Sequence, residues 1–365
     1  MGERRRCGKI AWRVAFAAAA LVIAGCAKKV DEQSVYAPGQ CKRVALRDAE
    51  SGALVSGAED LAYDARNDRV FISAYDRRAA EKAAKKKALS IPEGGVYEIS
   101  IAALLAAGDG ALEVRSLLRR GDVSGGLRPH GAAYDASAGE LVFINRSYRR
   151  INGKWEMTPR LQRVGGDGEP YVGEPALTSC AANDVLVIED HVLLTDDHGA
   201  CDWRAGLEDM FALKRGGVSE LDRGRLVDGV AYANGIVETL GGDIFVAATR
   251  ANALMALKQE NGAIAREGKI DLPGGPDNLT LGVDGNVIAA VHPSLMRIGL
   301  QRKLGLGRAP SRIVKVDPDR GDWRLLFDDP SGKLFSAATV AVETQDALIM
   351  GSVVDAGLLV CRRSG

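Results

Sequence analysis

A short polar pair that runs directly into an apolar, alternating stretch occurs six times along this chain. The six pairs are Glu59-Asp60, His130-Gly131, Asn183-Asp184, Asn234-Gly235, Asp277-Asn278 and Ala338-Thr339. Hairpins that recur at intervals of tens of residues are typical of radial β-sheet repeats, in which each repeat is one blade. The intervals are irregular, which indicates a structural repeat rather than a recent duplication. The pattern predicts an all-β fold, a six-bladed β-propeller with four-stranded blades.

The last repeat indicates how the ring closes. The fifth repeat reads as four strands between residues 279 and 327, with a strong turn signal at Asp284-Gly285. The sixth has only three strand-like segments after its polar pair. The missing fourth strand is expected from KRVAL at residues 42–46, which would bury both free edges of the ring. The N- and C-terminal strands are thus predicted to share one blade, with residues 41–365 as one domain.

The first 26 residues read as an export signal. Five basic residues precede a short apolar run that ends Ile23-Ala24-Gly25-Cys26, which reads as a bacterial lipobox. We expect a lipoprotein signal peptide over residues 1–26, a lipidated Cys26 as the mature N-terminus, and a linker over 27–40. An ordinary signal peptide or an uncleaved anchor is the alternative. The protein is therefore predicted to lie in the bacterial cell envelope, where the lipid would tether it to a membrane on the periplasmic or outer-surface side.

Four cysteines lie beyond the leader and Cys26, an even number for an oxidising compartment. Cys41 and Cys361 stand near the two ends of the predicted ring, so they are expected to meet where the ends share a blade. Cys180 and Cys201 flank a hairpin and could pair across it. Two buried thiols are the alternative for this second pair.

The charge balance argues against nucleic acid as a partner, because 48 Lys and Arg residues face 48 Asp and Glu residues. Two local basic segments stand out, at residues 77–92 and 299–310. Each could be a helix on an anionic membrane surface or a solvated loop, and the charge run favours the loop.

The polar pairs are also candidate metal ligands. In a propeller the innermost strand of each blade lines a central tunnel, so residues at the starts of these strands face one another. The oxygen-bearing candidates are Glu59, Asp60, Asn183, Asp184, Asn234, Asp277 and Asn278. Oxygen-only ligands suit Ca²⁺ rather than zinc or copper, and clustered carboxylates would repel without a cation. The alternative is that these residues only form turns, but they precede strands instead of joining them.

With these residues in view, the chain resembles the paraoxonase/arylesterase family of six-bladed propellers, which hold two calcium ions in the tunnel. The motifs that carry the resemblance are GAED (57–60), RPHG (128–131), ANDVLVIEDHVLLTDDHG (182–199), YANGI (232–236), PDNLTLGVDGN (276–286), AVHP (290–293) and LLVC (358–361). They follow the family order and extend over about residues 41–361.

The resemblance implies two calcium sites. The implied ligands of the exposed, catalytic ion are Glu59, Asn183, Asn234, Asp277 and Asn278. The implied ligands of the buried, structural ion are Asp60, Asp184 and the backbone carbonyl of Ala132. Cys41 and Cys361 match the family disulfide. Tyr232 and His292 match positions in the wall of the substrate pocket.

His130 matches the first histidine of the His–His dyad proposed for the family, but the second position is Arg146 in this chain. A permanent cation cannot orient His130 as a neutral imidazole would. Either the dyad is dispensable or His130 works differently.

The implied function is a carboxylic-ester hydrolase for lactones and aryl esters. Calcium would polarise the substrate carbonyl, and a water activated by His130 or Asp277 would be the nucleophile. Hydrophobic lactones are the substrates that the resemblance suggests. A non-catalytic calcium-stabilised propeller that binds a ligand or envelope partner is the alternative. A one-metal sugar lactonase is a third interpretation, which the Asp60/Asp184 pair disfavours.

Overall fold

The structure is a computed structural model that describes residues 30–121, 123–165, 172–177, 179–260 and 263–363. The predicted signal peptide, Cys26 and the first residues of the predicted linker lie outside the described residues. Among the described residues, no helix combines the length and apolar character needed to cross a bilayer.

The described part of the chain is built mainly from antiparallel strands, as predicted. The first six strands are β1 (Cys41–Val44), β2 (Leu46–Asp48), β3 (Ser56–Asp64), β4 (Arg69–Ala74), β5 (Gly95–Ser100) and β6 (Leu112–Val114). Strands β3, β4 and β5 form an antiparallel meander, whereas β2 and β6 pair in parallel.

Four antiparallel sheets of four strands follow along the chain. The first two contain β7 (Pro129–Asp135), β8 (Glu140–Ile151), β9 (Lys154–Gly165) and β10 (Val172–Ala176), then β11 (Ala182–Ile188), β12 (His191–Asp196), β13 (Gly216–Glu220) and β14 (Gly224–Val230). The next two contain β15 (Ala233–Glu238), β16 (Ile244–Ala248), β17 (Ala253–Glu260) and β18 (Ala263–Asp271), then β19 (Gly275–Leu281), β20 (Val287–His292), β21 (Ser311–Asp317) and β22 (Asp322–Asp329).

The last sheet joins the two ends of the described chain. Its C-terminal strands are β23 (Ala338–Glu343), β24 (Ala347–Ala356) and β25 (Leu358–Arg362). Strand β1 pairs with β25 and places Cys41 opposite Cys361, so the expected shared sheet and its disulfide are both present. Strand β24 also pairs with β3 through an irregular register. The second expected disulfide, Cys180–Cys201, is present as well.

The first strands of successive sheets contact one another in a closed series. Strand β3 contacts β7, and the contacts continue through β11, β15, β19 and β23 back to β3. Apolar side chains fill the space between neighbouring sheets. Val237 and Phe245, for example, belong to the same buried cluster as Val287 and Ala289 of the next sheet. Burial of each such side chain contributes about 1.5–3 kcal/mol to folding.

Four helices lie among the described residues, and two of them correct the prediction of solvated loops. They are α1 (Arg77–Lys85), α2 (Ile101–Ala106), α3 (Arg204–Phe211) and α4 (Leu295–Leu304). Helix α1 begins after Asp76, whose side chain accepts a hydrogen bond from the Ala79 amide. This N-cap satisfies an otherwise unpaired donor of the first turn, so the basic segment is helical in its first half.

Candidate functional site

The six polar pairs meet at the starts of the first strands. The Ala132 amide donates to Asp60 Oδ2 at 2.7 Å, and the Ile236 amide donates to Asp184 Oδ2 at 2.9 Å. Each contact joins one pair to the strand of the next. The carboxylates of Asp60 in β3 and Asp184 in β11 therefore fix the adjacent strand as well as their own local backbone.

Two glycines permit the closest approaches in this ring. A Cβ atom on Gly131 would lie 2.4 Å from the carbonyl oxygen of Asn183. A Cβ atom on Gly235 would lie 2.6 Å from the carbonyl oxygen of Asp277. Only glycine fits where one backbone passes another this closely. The second member of each of these two pairs is therefore a packing residue, not a ligand.

The backbone carbonyl of Glu59 closes the ring. It accepts a hydrogen bond from Asn278 Nδ2 at 2.9 Å and another from Thr339 Oγ1 at 2.8 Å. Thr339 thus connects the uncharged sixth pair to the first. The structure brings all six predicted pairs into one continuous network.

A cavity of about 100 Å³ opens at one end of this network. Glu59, Asn183, Asn234 and Asp277 line it, and the two predicted pocket residues, Tyr232 and His292, belong to its wall. These six residues come from four sheets or from the turn that leads into one of them. The predicted catalytic site therefore coincides with a real cavity.

Several oxygen atoms of the predicted ligands are buried here without a hydrogen-bond partner among the described residues. These atoms are Glu59 Oε2, Asn183 Oδ1, Asn234 Oδ1 and Asn278 Oδ1. Leaving a buried acceptor unpaired costs about 1–3 kcal/mol, more for a carboxylate. The three asparagine oxygens have no partner, and Glu59 Oε2 has only an irregular contact with His130 Nδ1, so this group of oxygens indicates a missing donor or cation.

Asp277 is held by two neighbours. Asn234 Nδ2 donates to its Oδ1 atom, and His292 Nε2 lies 2.6 Å from its Oδ2 atom. Asn234 Nδ2 also donates to Thr249 Oγ1 at 3.2 Å, and Thr249 in turn donates to the Pro276 carbonyl at 2.6 Å. The Asp277 carboxylate is thus positioned at the cavity wall by side chains from two sheets.

His130 lies deeper than the cavity wall. It is completely buried, and its Nδ1 atom is 2.8 Å from Glu59 Oε2, although the angle is not that of a regular hydrogen bond. Burial, followed by the charge of Arg146, lowers the pKa of His130 to about 4. The imidazole is therefore neutral at pH 7. His130 does not line the cavity, so it has no direct path to a bound substrate.

Glu59 is ionised in this surrounding. Burial penalises its carboxylate, but His130, Arg77 and Arg146 outweigh that penalty and lower the pKa of Glu59 to about 2. At pH 7, where His130 is neutral, the charges of Arg77 and Arg146 still favour the ionised carboxylate. Arg146 itself is 4% exposed. The arginine at the expected dyad position therefore acts as a buried cation beside Glu59 and His130.

The second predicted calcium site faces the opposite end of the network. Asp184 and Ala132 line a separate cavity of about 730 Å³. Burial and the charge of Asp184 raise the pKa of Asp60 well above its usual range. Burial raises the pKa of Asp184 to about 8, although two backbone amides donate to its carboxylate. Both carboxylates can be charged together only if a counter-charge is supplied.

The donor chemistry of the two places suits calcium. The first offers two carboxylates and three amides, and the second offers two carboxylates, so every side-chain donor is an oxygen. Within the described ranges, no group of three or more His, Cys, Asp or Glu side chains is arranged to hold a metal by itself. Any ion at the first place would depend on the asparagine oxygens for its coordination number.

Sequence reasoning missed a second acidic network beside the cavity. Asp197 Oδ2 accepts a hydrogen bond from Asn183 Nδ2 at 3.1 Å, and its Oδ1 atom is 2.6 Å from His198 Nδ1. His198 Nε2 lies 3.3 Å from Oδ1 of Asp209, which belongs to α3 and lines the cavity. The TDDHG stretch at residues 195–199 was the available signal.

Tyr232 has an unusual backbone conformation at the cavity wall. Its φ angle is +63°, in the left-handed region that a bulky residue seldom adopts. The ring makes an edge contact with His198, with 5.0 Å between the centroids. Such strained residues concentrate at functional sites, which agrees with the predicted pocket role.

No protein-family model matches the chain, and neither does any curated protein. Solved structures do match its fold. One is the crystal structure of a structural-genomics target assigned as a gluconolactonase, with a TM-score of 0.53, 14% identity, and coverage of 88% of this chain and 91% of that one. Another is XC5397 from Xanthomonas campestris, a gluconolactonase, with a TM-score of 0.50, 17% identity, and coverage of 92% and 99%. At these identities the likeness shows the fold alone: the chain shares the all-β architecture of lactonase-like proteins.

Proposed function

We propose that this protein is a calcium-dependent hydrolase of lactones or related esters, built as a six-bladed β-propeller. The observation that carries the proposal is the group of four unpaired buried oxygens on Glu59, Asn183, Asn234 and Asn278. They belong to four of the five residues expected to bind the catalytic ion. The fold shared with gluconolactonases supports a lactone as the substrate class. The more specific paraoxonase resemblance rests on the sequence motifs.

Glu59, Asn183, Asn234, Asp277 and Asn278 would hold the calcium ion at the cavity. When bound, the ion supplies electrophilic stabilisation of the negative charge that develops on the substrate carbonyl oxygen. In the same proposal, Asp60, Asp184 and the Ala132 carbonyl would hold a second, structural ion at the other end of the network.

Asp277 is better placed than His130 to accept a proton from the attacking water. Its carboxylate lines the cavity, and its Oδ2 atom is held by Nε2 of His292, which also belongs to the cavity wall. A general base has to reach the proton that it removes. His130 is buried behind Glu59, so we assign it to the support of Glu59 within this proposal. Tyr232 and the cavity walls would exclude bulk water from the reacting carbonyl.

A panel of γ- and δ-lactones and aryl esters, assayed with calcium and with a chelator, tests this function. We expect turnover that the chelator abolishes, and a loss of about 10²- to 10⁴-fold in Asp277→Ala. His130→Gln should retain more activity than Asp277→Ala if His130 only supports Glu59. Failure of the folded, calcium-loaded protein to hydrolyse any member of the panel would contradict the hydrolase proposal.

A non-catalytic calcium-stabilised propeller is the second candidate. Arg146 in place of the expected dyad histidine is the observation that favours it. Calcium would then raise the melting temperature while no substrate of the panel is hydrolysed. We also retain the proposal of a lipid anchor at Cys26 and a place in the bacterial envelope, which mass analysis of the mature N-terminus would test.

A further inference from the structure

Positive side chains from three separate segments converge on the mouth of the catalytic cavity. Arg77 comes from the first turn of α1, Arg250 from the short helical turn after β16, and Arg302 and Lys303 from the last turn of α4. The basic segments that contain α1 and α4 were predicted to be solvated loops. The structure instead directs them to one opening.

The acidic side chains at the same opening do not neutralise this group. Asp209 lies 3.5 Å from Arg250 Nη2 and 3.3 Å from His198 Nε2, so its charge is already shared between two cations. Burial lowers the pKa of His198, but the hydrogen bonds that its ring donates to Asp197 and Asp209 outweigh burial and raise the pKa to about 9, which keeps the imidazole charged at pH 7. Glu59 and Asp277, the other acids of the cavity, are the proposed calcium ligands.

The two basic residues of α4 have acidic neighbours only at longer range: the charge of Arg302 acts on Glu81, and that of Lys303 acts on Asp209. Neither Arg302 nor Lys303 forms an ion pair with any described residue, although Arg302 is half-buried. Arg77 contacts Glu81 through Nε at 3.2 Å, which leaves its terminal nitrogens available to the cavity. A half-buried guanidinium with no counter-ion in direct contact is incompletely compensated, because it loses water without gaining a charged hydrogen-bond partner.

We propose that the substrate carries an anionic group, a carboxylate or a phosphate, which binds Arg302 and Lys303 while its carbonyl lies beside Asp277. This inference deepens the proposed hydrolase function and rests on it. A guanidinium recognises planar or tetrahedral oxyanions with paired hydrogen bonds, and a lysine adds a point charge. A purely apolar lactone would cover these cations without neutralising them, so it is disfavoured as the natural substrate.

Matched substrates separate this inference from the hydrolase proposal. One pair is a γ-lactone with a ring carboxylate and its carboxamide; the other is a phosphorylated aldonolactone and its unphosphorylated parent. We expect kcat/KM to favour the anionic member by about 10- to 100-fold, with a preference that falls as salt rises. The two pairs distinguish carboxylate from phosphate as the recognised group.

The double variant Arg302→Gln/Lys303→Gln should reduce the ratio of anionic to neutral kcat/KM by about 10-fold or more, mainly through KM. Lys333→Gln, at an exposed loop position away from the cavity, is the matched control and should leave the ratio unchanged. Equal kcat/KM within both pairs in the wild-type protein would overturn the inference while leaving the hydrolase proposal intact.

If no lactone is hydrolysed, binding can still be measured by calorimetry with two probes, inorganic phosphate and the γ-lactone with a ring carboxylate. These measurements test the proposed anion site at Arg302 and Lys303. Binding that weakens in the double variant and not in Lys333→Gln supports an anion site. If neither probe binds, the proposal of an anion site is overturned.

Discussion

The Nε2 atom of His292 lies 2.6 Å from Oδ2 of Asp277 at the wall of the cavity, and both side chains are buried. We expect His292→Ala to reduce kcat by about 10- to 100-fold, because outer partners orient metal-binding carboxylates and usually contribute that much. His191, whose Nδ1 atom is 2.7 Å from Glu220 Oε1 far from this cavity, offers a matched control. An unchanged kcat in His292→Ala, or an equal loss in His191→Ala, would argue against a role for this contact.

Asp60→Asn removes a buried carboxylate whose pKa is raised by burial and by the charge of Asp184. In chelator the variant should be at least as stable as the wild type, because a like-charge repulsion is removed. With calcium at about 100 times its dissociation constant, the wild type should gain about 2.7 kcal/mol and the variant much less. Thermal denaturation in both conditions measures this, with Asp319→Asn at an exposed turn as the control. Because the proposed catalytic ion would still bind the variant, the test is the size of the gain: a calcium gain as large in Asp60→Asn as in the wild type would exclude Asp60 as a ligand.

The charge on His198 should make stability depend on pH on the alkaline side. Burial lowers its pKa, but the hydrogen bonds that its ring donates to Asp197 and Asp209 outweigh burial and raise the pKa to about 9, above the ordinary value of about 6.5. The stabilisation is therefore fully present below pH 6.5 and is lost as pH rises through 9. Compared with His198→Gln, the wild type should be more stable at pH 6 by about 1–2 kcal/mol, after allowance for solvent screening. The difference should shrink by pH 10 in chemical denaturation, and a constant difference would contradict this assignment.

The two disulfides should affect different properties. Cys41–Cys361 closes a loop with a sequence separation of 320, whereas that of Cys180–Cys201 is 21. The entropic model gives about 6 kcal/mol for the first and about 3 kcal/mol for the second. We expect Cys41→Ser/Cys361→Ser to lower the free energy of unfolding more than Cys180→Ser/Cys201→Ser. The second variant should instead reduce activity, because Cys201 precedes α3, whose Asp209 lines the cavity. The reverse order of stabilities would contradict the chain-entropy argument.

The strands and their order could be predicted because the same local sequence pattern recurs in each repeat. A polar pair followed by alternating apolar residues marks β3, β11 and β19 equally well, and the missing strand of the last repeat required a partner near Cys41. The two disulfides then followed from this topology. These features depend on local periodicity and on the need to bury sheet edges, both of which a sequence displays.

The helices of the cavity rim were missed for an identifiable reason. Charge runs alone favoured loops over 77–92 and 299–310. Ala, Lys, Leu and Arg are nevertheless good helix formers, and Asp76 caps α1. Ser294 caps the start of α4 through the Arg297 amide, and Gly305 ends it with a φ of +70°. These capping residues indicated helices, and their effect on the local structure was greater than that of the dense positive charge.

The depth of His130 could not be predicted from its sequence position. It occupies the same place in its repeat as residues that line the cavity, but its ring is buried behind Glu59. Asp197, His198 and Thr249 also lie outside the repeated pairs, and tertiary contacts alone bring them to the site. A pattern of repeats identifies which strand ends converge, whereas it contains no information about the depth of each side chain.

The pairing of β1 with β25 has a consequence for how the molecule is made. Strand β1 leaves the ribosome long before its hydrogen-bond partner β25, because the paired residues Cys41 and Cys361 have a sequence separation of 320. Contacts so distant in sequence form slowly, because the intervening chain loses much of its freedom before they are gained. Intermediates that lack β25 would expose an unpaired strand edge, the surface by which nascent chains associate with one another. Productive folding of this protein is therefore a late event that depends on keeping Cys41 and its strand unpaired until the end.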